Sequence, residues 1–121
     1  MTAPTHFVDR ENQQWIVLPG EPYIDGKSGQ KILDLATKVL DQGLTRIAID
    51  LSPTRVVNSV GISRFILMIE TFKPKGGQIA FCGPNSGVAK TLRIMGLLQK
   101  SALFASIEEA AATLPRSGDT L

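Results

Sequence analysis

Reactive side chains are scarce in this sequence. Its 121 residues hold one cysteine, Cys82, and one histidine, His6. A single cysteine closes no internal disulfide, and one Cys with one His cannot build a zinc site. No cofactor is expected, and a reducing, cytoplasmic setting fits this usage. Excess charge is missing as well. Lys and Arg number 13 against 11 Asp and Glu, a net of +2 despite a pI near 8.9. That surplus is too small to point to direct nucleic-acid binding. No apolar run is long enough to cross a bilayer, so no membrane insertion is expected. Met1-Thr2-Ala3-Pro4-Thr5-His6 has neither the basic nor the apolar segment of a signal peptide. There is no internal repeat.

What remains is the composition of an ordinary globule, 43% apolar and 20% charged. The length suits one domain over residues 1–121, with a core of about 5–114 and a flexible tail at 115–121.

Along the chain, Phe7-Val8 and Trp15-Ile16-Val17-Leu18 predict a hairpin across a polar turn at residues 9–14. Glu21 to Gly26 reads as a loop. Ile32, Leu35, Ala36, Val39 and Leu40 then keep helical spacing, with Asp25 or Ser28 as the cap and Gly43 as the stop. Ile47 to Leu51 is a buried strand. Ile62, Phe65, Ile66, Ile69 and Phe72 mark a second helix, ended by Pro74. Gln78 to Cys82 is another strand, and a helix carrying Val88, Leu92 and Met95 follows, with Gly96 as its stop. Leu103-Phe104 reads as an edge strand, and Ser106-x-x-Glu109 as a capping box for a last helix through Leu114, stopped by Pro115. The order predicts an α/β fold: a mixed central sheet of about four to five strands with about four helices, packed mainly on one face. The other face would then be open, or covered by a partner or a second copy in a homodimer.

Few residues offer chemistry. Gly83 to Thr91 follows a strand, opens a helix and ends in Lys90-Thr91, as a phosphate-binding loop does. That loop requires glycine where Pro84 and Ala89 stand, so a polar turn is the better reading, with a small nucleotide-binding protein as the distant rival. His6 has no nucleophile to pair with, and Cys82 sits among apolar residues as a buried hydrophobe would. Lys90 and Arg93 read as a solvated helix face, with a basic patch that meets an acidic partner as the alternative. Ser59 stands just before a helical pattern. Its first reading is the N-cap of that helix; the alternative is a phosphate acceptor, where the new charge would disrupt a partner interface.

In order and spacing, Leu51-Ser52, Asn58-Ser59-Val60-Gly61-Ile62, Gly76-Gly77-Gln78-Ile79 and Met95-Gly96-Leu97 resemble the STAS domain. More narrowly, the chain is similar to the bacterial anti-sigma factor antagonists, from about Trp15 to Leu114. The resemblance implies a phosphoprotein without catalytic residues that regulates transcription by partner switching. Unphosphorylated, it would bind an anti-sigma factor that is also a serine kinase of the histidine-kinase-like ATPase type, freeing a sigma factor. A PP2C-type phosphatase would restore that form. The family's phosphorylated serine matches Ser59. Asn58, Val60, Gly61 and Ile62 would form the helix-start surface that the partner reads, and Tyr23 and Asp25 lie in the neighbouring loop, where Asp25 matches the family's aspartate only with a shift. Two positions depart: Asn58 stands where the family has a carboxylate, and Val60 where it has a second serine. Those departures suit the alternative of a non-switching STAS interaction subunit in a transport or signalling assembly.

Overall fold

The computed structural model describes residues 5–8, 14–96 and 102–114. Among the described residues, seven strands form two sheets, accompanied by four α-helices. The larger sheet has five strands: β1 (Thr5–Val8), β2 (Gln14–Pro19), β4 (Arg46–Asp50), β6 (Gln78–Cys82) and β7 (Ala102–Phe104), in the order β1-β2-β4-β6-β7. β1 runs antiparallel to β2, as the expected hairpin requires; the turn predicted at 9–14 lies largely outside the described residues. The pairs β2–β4, β4–β6 and β6–β7 are parallel. A mixed sheet with crossover helices is what alternating strand and helix patterns dictate.

Residue parity along the strands assigns the two faces. Ile16, Leu18, Ile47, Ile49, Ile79 and Phe81 point to one side, where α1 (Gly26–Asp41), α2 (Ser59–Phe72) and α3 (Ser86–Ile94) bury their apolar stripes. Phe65 of α2 sets its ring 5.1 Å from that of Phe81. Each fully buried side chain of this size contributes about 1.5–3 kcal/mol. Trp15, Ala48, Ala80, Cys82 and Phe104 point to the other side. There Ala110, Ile107 and Leu114 pack from α4 (Ile107–Thr113) and its end, and the Arg46 guanidinium lies 5.5 Å from the Trp15 ring. The expected open face is therefore corrected: a helix of the chain itself lies on it. Strands that are apolar at successive positions, as β4 is, need cover on both sides.

Local signals end the helices where the residues predict. Gly43, at φ +85°, follows the C-cap of α1 in the left-handed region that suits glycine. Pro74 falls in a 3₁₀ turn at Lys73–Lys75, directly after α2. The closing cap differs in one bond. Ser106 accepts from the Glu109 amide, but the Glu109 carboxylate takes the amide of Ala105 rather than that of Ser106. Pro115 and the predicted tail lie outside the described residues.

Two short strands were not expected. β3 (Tyr23–Ile24) lies inside the predicted Glu21–Gly26 loop, and β5 (Val56–Val57) lies just before α2. They pair in parallel, Tyr23 with Val56 and Ile24 with Val57, and form the second sheet. Each runs directly into a helix. The starts of α1 and α2 are therefore set side by side.

Candidate functional site

The two helix starts form one surface. Asp25 caps α1, accepting the Ser28 amide at 3.0 Å, while the Ser28 hydroxyl accepts the Asp25 amide at 2.9 Å. The bond from the Ser28 amide, more than any other factor, holds the Asp25 carboxyl below its ordinary range. Asp25 is thus occupied with its own helix. It makes no hydrogen bond to α2 among the described residues.

Asn58 caps α2, its side-chain oxygen accepting the Gly61 amide at 2.9 Å. The reading of Ser59 as the cap is corrected accordingly. Ser59 is the first residue inside the helix, and its side chain is exposed. Backbone geometry decides between the two. Asn58 has the extended conformation that a cap requires, at φ −90° and ψ 172°, whereas Ser59 is already helical. The hydroxyl of Ser59 has no capping work to do. The amides of Ser59 and Val60 make no hydrogen bond among the described residues, as the first turn of a helix leaves them.

The predicted site residues divide into two groups. Tyr23 and Asn58 meet directly: the Asn58 side-chain amide donates to the Tyr23 hydroxyl at 3.3 Å. The Asn58 backbone amide also donates to the Ile24 carbonyl at 3.0 Å, tying β3 to the cap of α2. Tyr23 is 51% exposed and Val60 48%. Gly61 and Ile62, by contrast, are buried, Ile62 to 1% exposure. As part of a surface that a partner reads, these two are corrected. Ile62 belongs to the core, and Gly61 lies against the Ile24 backbone, where a Cβ would stand 2.7 Å from the Ile24 carbonyl oxygen.

Sequence reasoning missed Val56, which is 51% exposed and pairs with Tyr23. Its signal was the β-branched doublet Val56-Val57 before Asn58, one residue turned in and the other out. Leu67, exposed two turns beyond Val60, extends the same apolar group along α2. Lys27 and Arg55 are exposed nearby, on α1 and just before β5. Tyr23, Asp25 and Lys27 also line a shallow groove of about 540 Å³ with Glu21, Ser28 and Lys31.

Elsewhere the structure offers less. Asn85 caps α3 by accepting the Val88 amide at 2.8 Å, and Lys90 is exposed. The side chain of His6 lies outside the described residues. Burial, and after it the charges of Asp50, Glu108 and Glu109, push the Cys82 thiol up to about 12. Among the described residues no three His, Cys, Asp or Glu side chains cluster as a metal site would require. No helix among them is long and apolar enough to cross a membrane.

Several solved structures share this architecture. A Thermotoga maritima protein described as a candidate anti-sigma factor antagonist superposes with a TM-score of 0.78 at 17% identity, over 93% of this chain and 95% of its own. The Bacillus cell fate determinant SpoIIAA in its phosphorylated form gives 0.60 at 19% identity, over 91% and 97%. A sulfate transporter family protein from Wolinella succinogenes also gives 0.60, at 16% identity over 79% and 82%. At such identities the likeness is one of fold. No curated protein matches the sequence. The STAS domain family model, however, matches residues 7–110, nearly the whole α/β unit. The chain belongs to the STAS domain family.

Proposed function

We propose that this protein is an anti-sigma factor antagonist that switches partners through phosphorylation of Ser59, in the cytoplasm. The observation that carries the reading is the position of Ser59. It is an exposed hydroxyl released from capping, at the start of α2, where Tyr23, Val56 and Val60 are exposed around the same pair of helix starts. A phosphate there would be tolerated by the folded chain, because unbonded amides and the positive end of the helix dipole face it. Pressed against a partner on the apolar group, the same charge would be costly to desolvate. The modification would therefore break the complex and spare the fold. The kinase is an anti-sigma factor of the histidine-kinase-like ATPase type, and a PP2C-type phosphatase reverses its work. The antagonist is substrate and ligand, and supplies no chemistry of its own. Solved anti-sigma factor antagonists of the same fold, one of them phosphorylated, support the reading.

The test is a pull-down from the native host with Ser59→Ala and Ser59→Asp baits, identified by mass spectrometry. Recovery of a histidine-kinase-like ATPase by the alanine form and its loss from the aspartate form is the expected result. Identical partners for both baits, with no phosphate on Ser59 from the host, would refute it.

One observation favours a second reading. Asn58 and Val60 depart from the antagonist pattern, and a sulfate transporter family protein shares the fold. In that reading the same surface is a constitutive contact in a transport assembly, and identical partners for both baits are its signature.

A further inference from the structure

We propose that the hydroxyl of Tyr23 reads the state of Ser59 by donating its proton to a phosphate placed there, and that Asn58 turns it to this task. The inference rests on Ser59 as the modified residue and specifies how that site is regulated.

Hydrogen-bond polarity orients the Asn58 side chain. The Gly61 amide can only donate, so it fixes the Asn58 oxygen on its side, at 2.9 Å. The Asn58 nitrogen is thereby turned to Tyr23, 3.3 Å from the phenolic oxygen. In this bond Tyr23 is the acceptor, and its own proton goes to no described residue. An aspartate at position 58 would reverse the polarity. It would offer a second carboxylate oxygen where Asn58 offers a donor, and the phenol would donate inward.

Asn58 precedes Ser59 directly, so their Cα atoms are about 3.8 Å apart. Ser59 and Tyr23 are both exposed. A phosphate on Ser59 would have the unbonded amides of Ser59 and Val60 on the helix side and the free phenolic proton on the β3 side. Hydrogen bonds to an ionised oxygen are the strong ones. Drawn to the phosphate, Tyr23 would no longer serve as an apolar anchor for a partner. Release would then follow from withdrawal of an anchor as well as from added charge. This fits a chain that lacks a carboxylate at position 58.

The experiment places phosphoserine at position 59 of the full chain by genetic encoding and follows its second ionisation by ³¹P NMR. The native chain, Tyr23→Phe, Asn58→Asp and a peptide of residues 55–66 are compared. Asp25 and Lys27 near α1, Arg64 on α2, and Glu21 and Arg55 in the flanking loops are common to all three proteins, so their charges cancel in the comparison. The native phosphate is expected to lose its proton at lower pH than the peptide. Tyr23→Phe should raise its proton affinity about threefold, and Asn58→Asp should raise it as well. Asn58→Asp retains a good cap, and Tyr23→Phe retains the ring. Coincident titration of Tyr23→Phe and the native chain would overturn the proposal, also if Asn58→Asp alone is shifted, since the carboxylate charge would then be the cause. Absence of phosphate on Ser59 in the host would refute the switch and leave this titration unaffected.

Discussion

Gly26 and Val60 bring the first turns of α1 and α2 into contact: a Cβ on Gly26 would stand 2.7 Å from Val60 Cγ1. Gly61 makes a contact of the same length, but to the Ile24 backbone. The two should respond differently to alanine. Val60 is half-exposed and can turn away, so Gly26→Ala should change stability by less than about 1 kcal/mol. The Ile24 carbonyl is fixed in the strand pair, so Gly61→Ala should cost about 1–3 kcal/mol. Urea unfolding of both variants checks the difference; equal midpoints would show that the Ile24 contact can relax.

Capping makes a second prediction. Asn58→Ala removes the acceptor of the Gly61 amide and should cost about 1 kcal/mol. Ser59→Ala removes an exposed hydroxyl and should stay within about 0.5 kcal/mol of the native chain. The reverse ranking in denaturant titrations would return the cap to Ser59.

Alkaline stability should depend on Cys82. Its thiol is raised from an ordinary 9.0 to about 12, first by burial. Above pH 9 the unfolded chain gives up this proton while the folded chain keeps it. The contribution is therefore complete below pH 9 and is lost as the pH rises towards 12. Stability of the native chain should fall more steeply across that window than that of Cys82→Ala. Parallel pH profiles would show that the thiol ionises freely in the fold.

Acid stability should depend on Asp25, whose carboxyl is held below 3.8 chiefly by the Ser28 amide. A lowered folded value gives stability that is present above the ordinary carboxylate range and lost as the pH falls through the folded value. Asp25→Asn retains an acceptor for Ser28 and has no proton to gain. Its acid limb should be shallower than the native one, measured by circular dichroism from pH 5 downwards.

The long elements were legible because each carries many turns of one period. α1 repeats its apolar stripe over 16 residues, and its cap and stop are local signals. β3 and β5 were illegible because two residues define no period. They exist through their pairing, a tertiary relation between segments 33 positions apart in register. The cap was missed for a narrower reason. Asn and Ser are both good caps, and only the backbone angles choose between Asn58 and Ser59. The burial of Ile62 was legible, since it opens the apolar stripe of α2. The resemblance drew it onto the surface because the motif it belongs to also holds Ser59.

The strand pair β3–β5 has a further consequence. Tyr23-Ile24 and Val56-Val57 lead into separate helices, yet they share one mounting of two paired positions each. Such a yoke leaves the two caps without independent settings. Substitutions at Tyr23 and Asn58 should therefore combine non-additively, and a double-mutant cycle between them would measure how rigidly the yoke joins the two helices.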